Sequence, residues 1–223
     1  YLALREKGAG SMIMLAASLA FKLQAVFIMP VFFVFLLAGK IKPKHLIVFP
    51  VAYTVFLLPP VICGRPILEV LTQYVNQAGT AGDAMNYNSP SVFSIFGGLD
   101  SAIWAKPAVI AAFVFMLLVF LFAGIFRKRL SDKMLLGLTV LLVIGIPFLL
   151  QHMHDRYCYL ADILSVVLAF SAPAFFPMPL FVQFASFLSY YAYLNMRFLV
   201  HPRIGGECML IALMITLMFV ITS

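Results

Sequence analysis

Long oily runs alternate along this chain with short segments that hold most of its charge. Residues Ser11 to Ala38 are apolar except for Lys22 and Gln24. Two full membrane spans need about 40 residues, and this stretch offers 28. It therefore reads as two half-helices turning near Lys22, or as one long span. Leu46 to Ile62 is a short span broken by Pro50, Pro59 and Pro60. A polar stretch follows over about residues 63–105, and within it Pro66 to Gln77 carries Leu68, Leu71 and Val75 on one side of an amphipathic interfacial helix. Four more spans read as Pro107–Phe126, Met134–Leu150, Cys158–Phe176 and Leu180–Val200. Residues 201–206 form a turn, and Cys208–Ile221 is a last span. The expected fold is all-α, a polytopic integral membrane bundle of about six to eight segments forming one transmembrane domain over residues 1–223.

Composition supports that class. Hydrophobic residues fill 64% of the chain and charged ones 10%, and the mean hydropathy is +1.08. So few charges cannot cover so much apolar surface in water. The net charge of +7 thus bears on membrane topology rather than on nucleic acid. Arg127-Lys128-Arg129 marks a cytoplasmic turn. Alternation from there places both the long loop and the turn at residues 151–157 on the non-cytoplasmic side. The absence of any Asn-x-Ser/Thr acceptor leans towards a bacterial cytoplasmic membrane. Cys63, Cys158 and Cys208 have no metal-ligand spacing and read as packing residues.

The richest chemistry lies in Gln151-His152-Met153-His154-Asp155-Arg156-Tyr157, set between two oily runs. Charges at the mouth of membrane helices are partly desolvated, so they hold polar ligands and titrate away from their usual values. The same residues also suit a solvated turn with an internal Asp155–Arg156 pair. His-x-His spacing offers two metal ligands but no third, so no dedicated metal site is expected, although a divalent cation could still assist. Lys22 and Gln24 suit a phosphate, or else Lys22 snorkels to an interface. Asp162 faces the same region or pairs structurally with a neighbour. No nucleophile elbow and no phosphate-cradling glycine loop is present.

Phe21-Lys22-Leu23-Gln24 followed by Pro30, the Asn86-Tyr87-Asn88-Ser89-Pro90-Ser91 segment and His152-Met153-His154-Asp155-Arg156 resemble, in that order, the polyprenyl-phosphate-sugar glycosyltransferases of GT-C architecture, and specifically their C-terminal half. The likeness covers roughly residues 9 to 170 and rests on the ordered set rather than on any single motif. It implies an enzyme that moves a sugar from a polyprenyl-phosphate donor to a glycan, lipid or protein acceptor outside the cytoplasm. Lys22, Gln24, His152, His154 and Arg156 would then hold the donor, and Asn86, Asn88 and Tyr157 would belong to the acceptor or its loop. Asp155-Arg156 stands where the family more often has Glu-Lys or Glu-Arg. The family's catalytic aspartate belongs to a first outer loop, and nothing before Ser11 supplies it, which leaves Asp155 as the candidate base ahead of Asp83 and Asp100. Stabilising a departing phosphate calls for cations at low dielectric, a role that Arg65 shares with Lys22 and Arg156. A transporter or lipid flippase would want similar residues at membrane depth, and a non-catalytic membrane subunit is the third possibility.

Overall fold

A computed structural model of the chain describes residues 1–78, 82 and 84–223, with backbone alone for 75–78. Asp83 and the side chain of Val75 lie outside the described residues. The described residues are all-α apart from one ladder of two-residue strands. It forms two compact units, Tyr1–Gly82 and Asp83–Ser223. Among the described residues, four helical stretches are long and apolar enough to cross a membrane: Pro43–Ile62, Ser101–Ile125, Asp132–Leu149 and Pro202–Thr222. Gly8–Phe21 and Leu23–Leu37 are apolar but shorter.

In the first unit, α1 (Gly8–Phe21) stops at Lys22, whose backbone is extended, and a 3-10 turn (Leu23–Ile28) leads into α2 (Met29–Leu37). This is the half-helix alternative. A helix end leaves carbonyls without partners, and here the phenol of Tyr74 supplies one. It donates to Leu19 O at 2.6 Å and to Ala20 O at 3.4 Å. Tyr74 belongs to α5 (Ile67–Ala78), the expected amphipathic helix, which leaves Leu68 and Leu71 exposed and buries Val70. The proline-rich span is segmented into a 3-10 turn (Pro43–Ile47), α3 (Val48–Phe56) and α4 (Leu58–Ile62). Only 6% of it is buried.

The second unit is organised around α8 (Asp132–Leu149), of which 83% is buried, against 22% of the 18-residue apolar stretch of α7 (Ser101–Ile125). Around it pack α7, α9 (Tyr159–Ser171) and α11 (Pro202–Thr222), and α10 (Pro177–Asn195) packs on α9 and α11. Glycines let the neighbours come close. A Cβ on Gly137 would meet the Phe219 ring at 2.6 Å and Val220 at 3.1 Å, and one on Gly145 would meet Phe115. The outer side of α7 presents Ile110, Phe113, Leu117 and Leu121, as lipid contact requires.

Two expected spans and one expected turn differ, and the span expected from Pro107 begins earlier, at Ser101. The run Cys158–Phe176 yields a helix of only 13 residues, about 20 Å long against a hydrocarbon core of about 30 Å. It breaks at Ala172, before the 3-10 turn Pro173–Phe175. In place of Leu180–Val200, α10 runs Pro177–Asn195 and ends at left-handed Met196; its serines, tyrosines and Gln183 keep it out of the four long apolar helices. The expected turn at residues 201–206 is helical, with Pro202 in the first turn and the His201 ring capping Arg203 N. Gly205 and Gly206 serve packing there rather than a bend.

Gly137→Ala is expected to cost about 1–3 kcal/mol, because Phe219 is 4% exposed and has little room to yield. Gly124→Ala, with open space around it, should be neutral or slightly stabilising. Thermal unfolding of both variants in detergent tests the contrast.

Candidate functional site

The turn after α8 and the segment before α6 (Val92–Ile95) meet in a parallel ladder, β1 (Asn86–Tyr87) with β2 (Met153–His154). Asn86 pairs with Met153 and Tyr87 with His154, and an isolated bridge joins Asn88 to His154. At its start His152 leaves α8 with φ +57°, a conformation histidine tolerates better than most residues. His152 N donates to Met85 O at 2.9 Å, and His152 Nδ1 lies 2.7 Å from Ala84 O. That short contact to a carbonyl assigns the proton to Nδ1. The Tyr87 ring stacks on His154 at 4.7 Å and 13°, and Tyr157 meets His154 edge-on at 5.4 Å.

Each end of β1 is tied down. Asn86 closes a turn on itself, its Oδ1 accepting from Ser89 N at 3.0 Å and its Nδ2 donating to Ser89 O at 2.8 Å. Asn88 has φ +61°, and its carbonyl accepts from Ser189 Oγ on α10 at 2.5 Å. Carbonyls flanking β1, those of Met85 and Asn88, therefore reach the histidine turn and the bundle.

The charged residues of the turn separate by burial. Asp155 is 5% exposed, His154 is half-buried and Arg156 is exposed. No ion pair joins Asp155 to Arg156, so the internal pair expected of a solvated turn does not form. Burial first, and then the Arg156 charge, push the His154 imidazole below its usual value of 6.5, with Asp155 opposing.

Behind the ladder two polar stripes face each other. Asp155, Cys158, Asp162 and Ser165 recur at three- and four-residue intervals through the 3-10 turn Asp155–Cys158 and α9. Opposite them on α10 stand Gln183, Ser186, Ser189 and Tyr190. Ser186 Oγ donates to Asp162 Oδ1 at 2.5 Å, Tyr190 OH to Oδ2 at 3.4 Å, and Gln183 Nε2 to Asp162 O at 2.7 Å. Asp162 thus pairs structurally with α10. The α10 stripe was not singled out from sequence. Its signal was the recurrence of polar groups every three to four residues (183, 186 and 189–190) in an otherwise oily run.

No family model, curated protein or solved structure matches this chain.

An open cavity of about 680 Å³ lies along the Asn86–Asn88 segment. Asn86 and Asn88 line it, whereas His152, His154, Asp155, Arg156 and Tyr157 do not. Asp100, also on its wall, caps α7 by accepting from Ala102 N at 2.9 Å. At the α11 side, a Cβ on Gly206 would lie 2.5 Å from Ser94 Oγ and 2.8 Å from Ser91 O, so α6 rests directly on α11 backbone.

Lys22, Gln24 and Arg65 belong to the first unit. Lys22 is exposed at the C-terminus of α1, where its charge complements the helix dipole. Gln24 is half-buried, and its Oε1 is buried without a hydrogen-bond partner. Arg65 is exposed just after Gly64, which turns the chain with φ +95°. Among the described residues no three of His, Cys, Asp and Glu converge as metal ligands. The cysteines are free thiols.

A histidine that holds its proton less tightly when folded contributes stability above the unfolded value of about 6.5 and loses it as pH falls through the lower folded value. The His154 ring should therefore titrate below 6.5 by NMR in the folded protein, and His154→Gln should flatten the drop in thermal midpoint on acidification below that pH. A His154 midpoint at or above 6.5 would contradict the burial assigned to it.

Proposed function

We propose that this chain is part of a membrane glycosyltransferase of GT-C-like architecture that moves a sugar from a polyprenyl-phosphate donor to an acceptor on the extracytoplasmic face. The observation that carries the reading is the β1–β2 ladder. Two segments 67 residues apart in sequence, each of which resembles that family, are hydrogen-bonded neighbours. The helix break at Lys22 is in keeping with the first of the family-like segments.

The chemistry needs a cation for the departing phosphate and a base for the acceptor hydroxyl. Arg156, exposed and free of an ion pair with Asp155, suits the phosphate. His154, biased towards its neutral form, offers one ring nitrogen as donor and the other as acceptor near neutral pH. Asp155 is buried beneath it and acts on it electrostatically, so the pair shares the work of the base. His152 holds the turn through Ala84.

A transporter or flippase is favoured by one observation, the interrupted apolar helix at Lys22, since broken helices build substrate sites in such proteins. Proteoliposomes separate the two readings, because translocation of a polyprenyl-phosphate sugar without any transfer product would speak for transport.

In the full-length protein, reconstituted with a labelled polyprenyl-phosphate sugar, His154→Ala and Arg156→Ala should each lower turnover by about 10²–10³-fold while membrane insertion is retained. Unchanged turnover in both variants would remove these residues from the site.

A further inference from the structure

We infer that the cavity beside Asn86–Asn88 binds a neutral sugar ring. Its volume of about 680 Å³ lies within the range of small-molecule sites. Phe93, Phe96 and Phe198 line it, and Phe96 and Phe198 remain 61% and 53% exposed. Large aromatic rings on an open wall offer flat apolar faces to the C–H face of a pyranose.

Three polar residues on the same wall match hydroxyl groups, which both donate and accept. Asn88 has its carbonyl taken by Ser189, while no described residue engages its side-chain amide, which can donate and accept. Asp100 uses one oxygen to cap α7 and keeps acceptor capacity on the other. His201 Nδ1 accepts from Arg203 N at 3.2 Å, so the neutral ring carries its proton on Nε2 and donates from there.

An anion is the competing ligand, because α7 and α11 both begin at this cavity. Asp100 already neutralises the start of α7, and His201 occupies a free amide of α11. None of the described lining residues is Lys or Arg. A phosphate would meet a carboxylate here and no compensating cation. The ligand is therefore uncharged and polyhydroxylated. The inference rests on the transfer reading in one respect only, namely that the sugar bound here is the acceptor.

The test is saturation-transfer NMR on the full chain in lipid nanodiscs, free of glycoside detergents, using methyl β-D-glucopyranoside, methyl α-D-mannopyranoside and methyl β-D-galactopyranoside, with inorganic phosphate as the anionic probe. At least one glycoside should bind. Its affinity should fall about tenfold or more in the Phe96→Ala/Phe198→Ala variant, whose side chains are too exposed to support the core. Asp100→Asn, which retains a helix-capping side chain, should also weaken it. Binding of none of the glycosides, equal binding by the phenylalanine variant, or displacement of the sugar by phosphate would overturn the inference. Glycoside binding without transfer from any polyprenyl-phosphate donor would leave the cavity standing and sink the transfer reading. Transfer without glycoside binding would do the reverse.

Discussion

Backbone pairing between Asn86–Tyr87 and Met153–His154 is the contact on which the polar end of the second unit depends. Both segments are irregular chain between apolar helices. Polar backbone at membrane depth persists only where its N–H and C=O groups find partners. The ladder supplies them. His152 N and Nδ1 extend it to Met85 and Ala84, and Ser189 carries it across to α10. The stacked ring of Tyr87 and the edge of Tyr157 then hold His154 from two sides. Its imidazole is half-buried as a consequence of pairing, not of its own hydrophobicity.

Beneath this end, the facing stripes of α9 and α10 answer a second constraint. An intramembrane carboxylate is costly unless its oxygens are engaged, and Asp162 has a serine and a tyrosine hydroxyl on its two oxygens. The stripes align the short α9 with α10. They also place Asp155 under the turn, where it opposes the fall in the His154 pKa. Close glycine contacts do the equivalent work for apolar neighbours: Gly137 and Gly145 on α8, and Gly206 where α11 supports α6. Polar knots and bare backbone surfaces both substitute for the hydrophobic drive that lipid does not provide between helices.

Much of this was legible in the sequence. Long apolar runs marked the helices, Lys22 and Gln24 left a helix break as one of two readings, and the spacing of Leu68 and Leu71 marked α5. The pairing of residues 86–87 with 153–154 was not, because two-residue strands carry no periodicity and their partners are remote in sequence. Helix starts were misplaced at Ser101 and Pro202 for a different reason. Proline and paired glycines read as breaks, yet Pro107 is accommodated inside α7, and Gly205-Gly206 provides a flat surface for α6 and the loop before it. The cavity was hidden for the same reason as the ladder: Asn88, Phe96, Asp100, Phe198 and His201 become neighbours only through the fold. The candidate chemistry at residues 152–156 was visible as a cluster. Its division into a buried acid, a half-buried imidazole and an exposed guanidinium was not.

Cysteine cross-linking tests the ladder most directly. In a chain with Cys63, Cys158 and Cys208 replaced by Ala, cysteines at positions 87 and 154 would sit at neighbouring-strand separation, about 5 Å between Cα atoms and within disulfide reach. Mild oxidation in native membranes should close that pair readily and leave a 87–156 control pair largely open. A pair at 87 and 154 that stays reduced, or that closes no better than the control, would contradict the pairing from which the site is built.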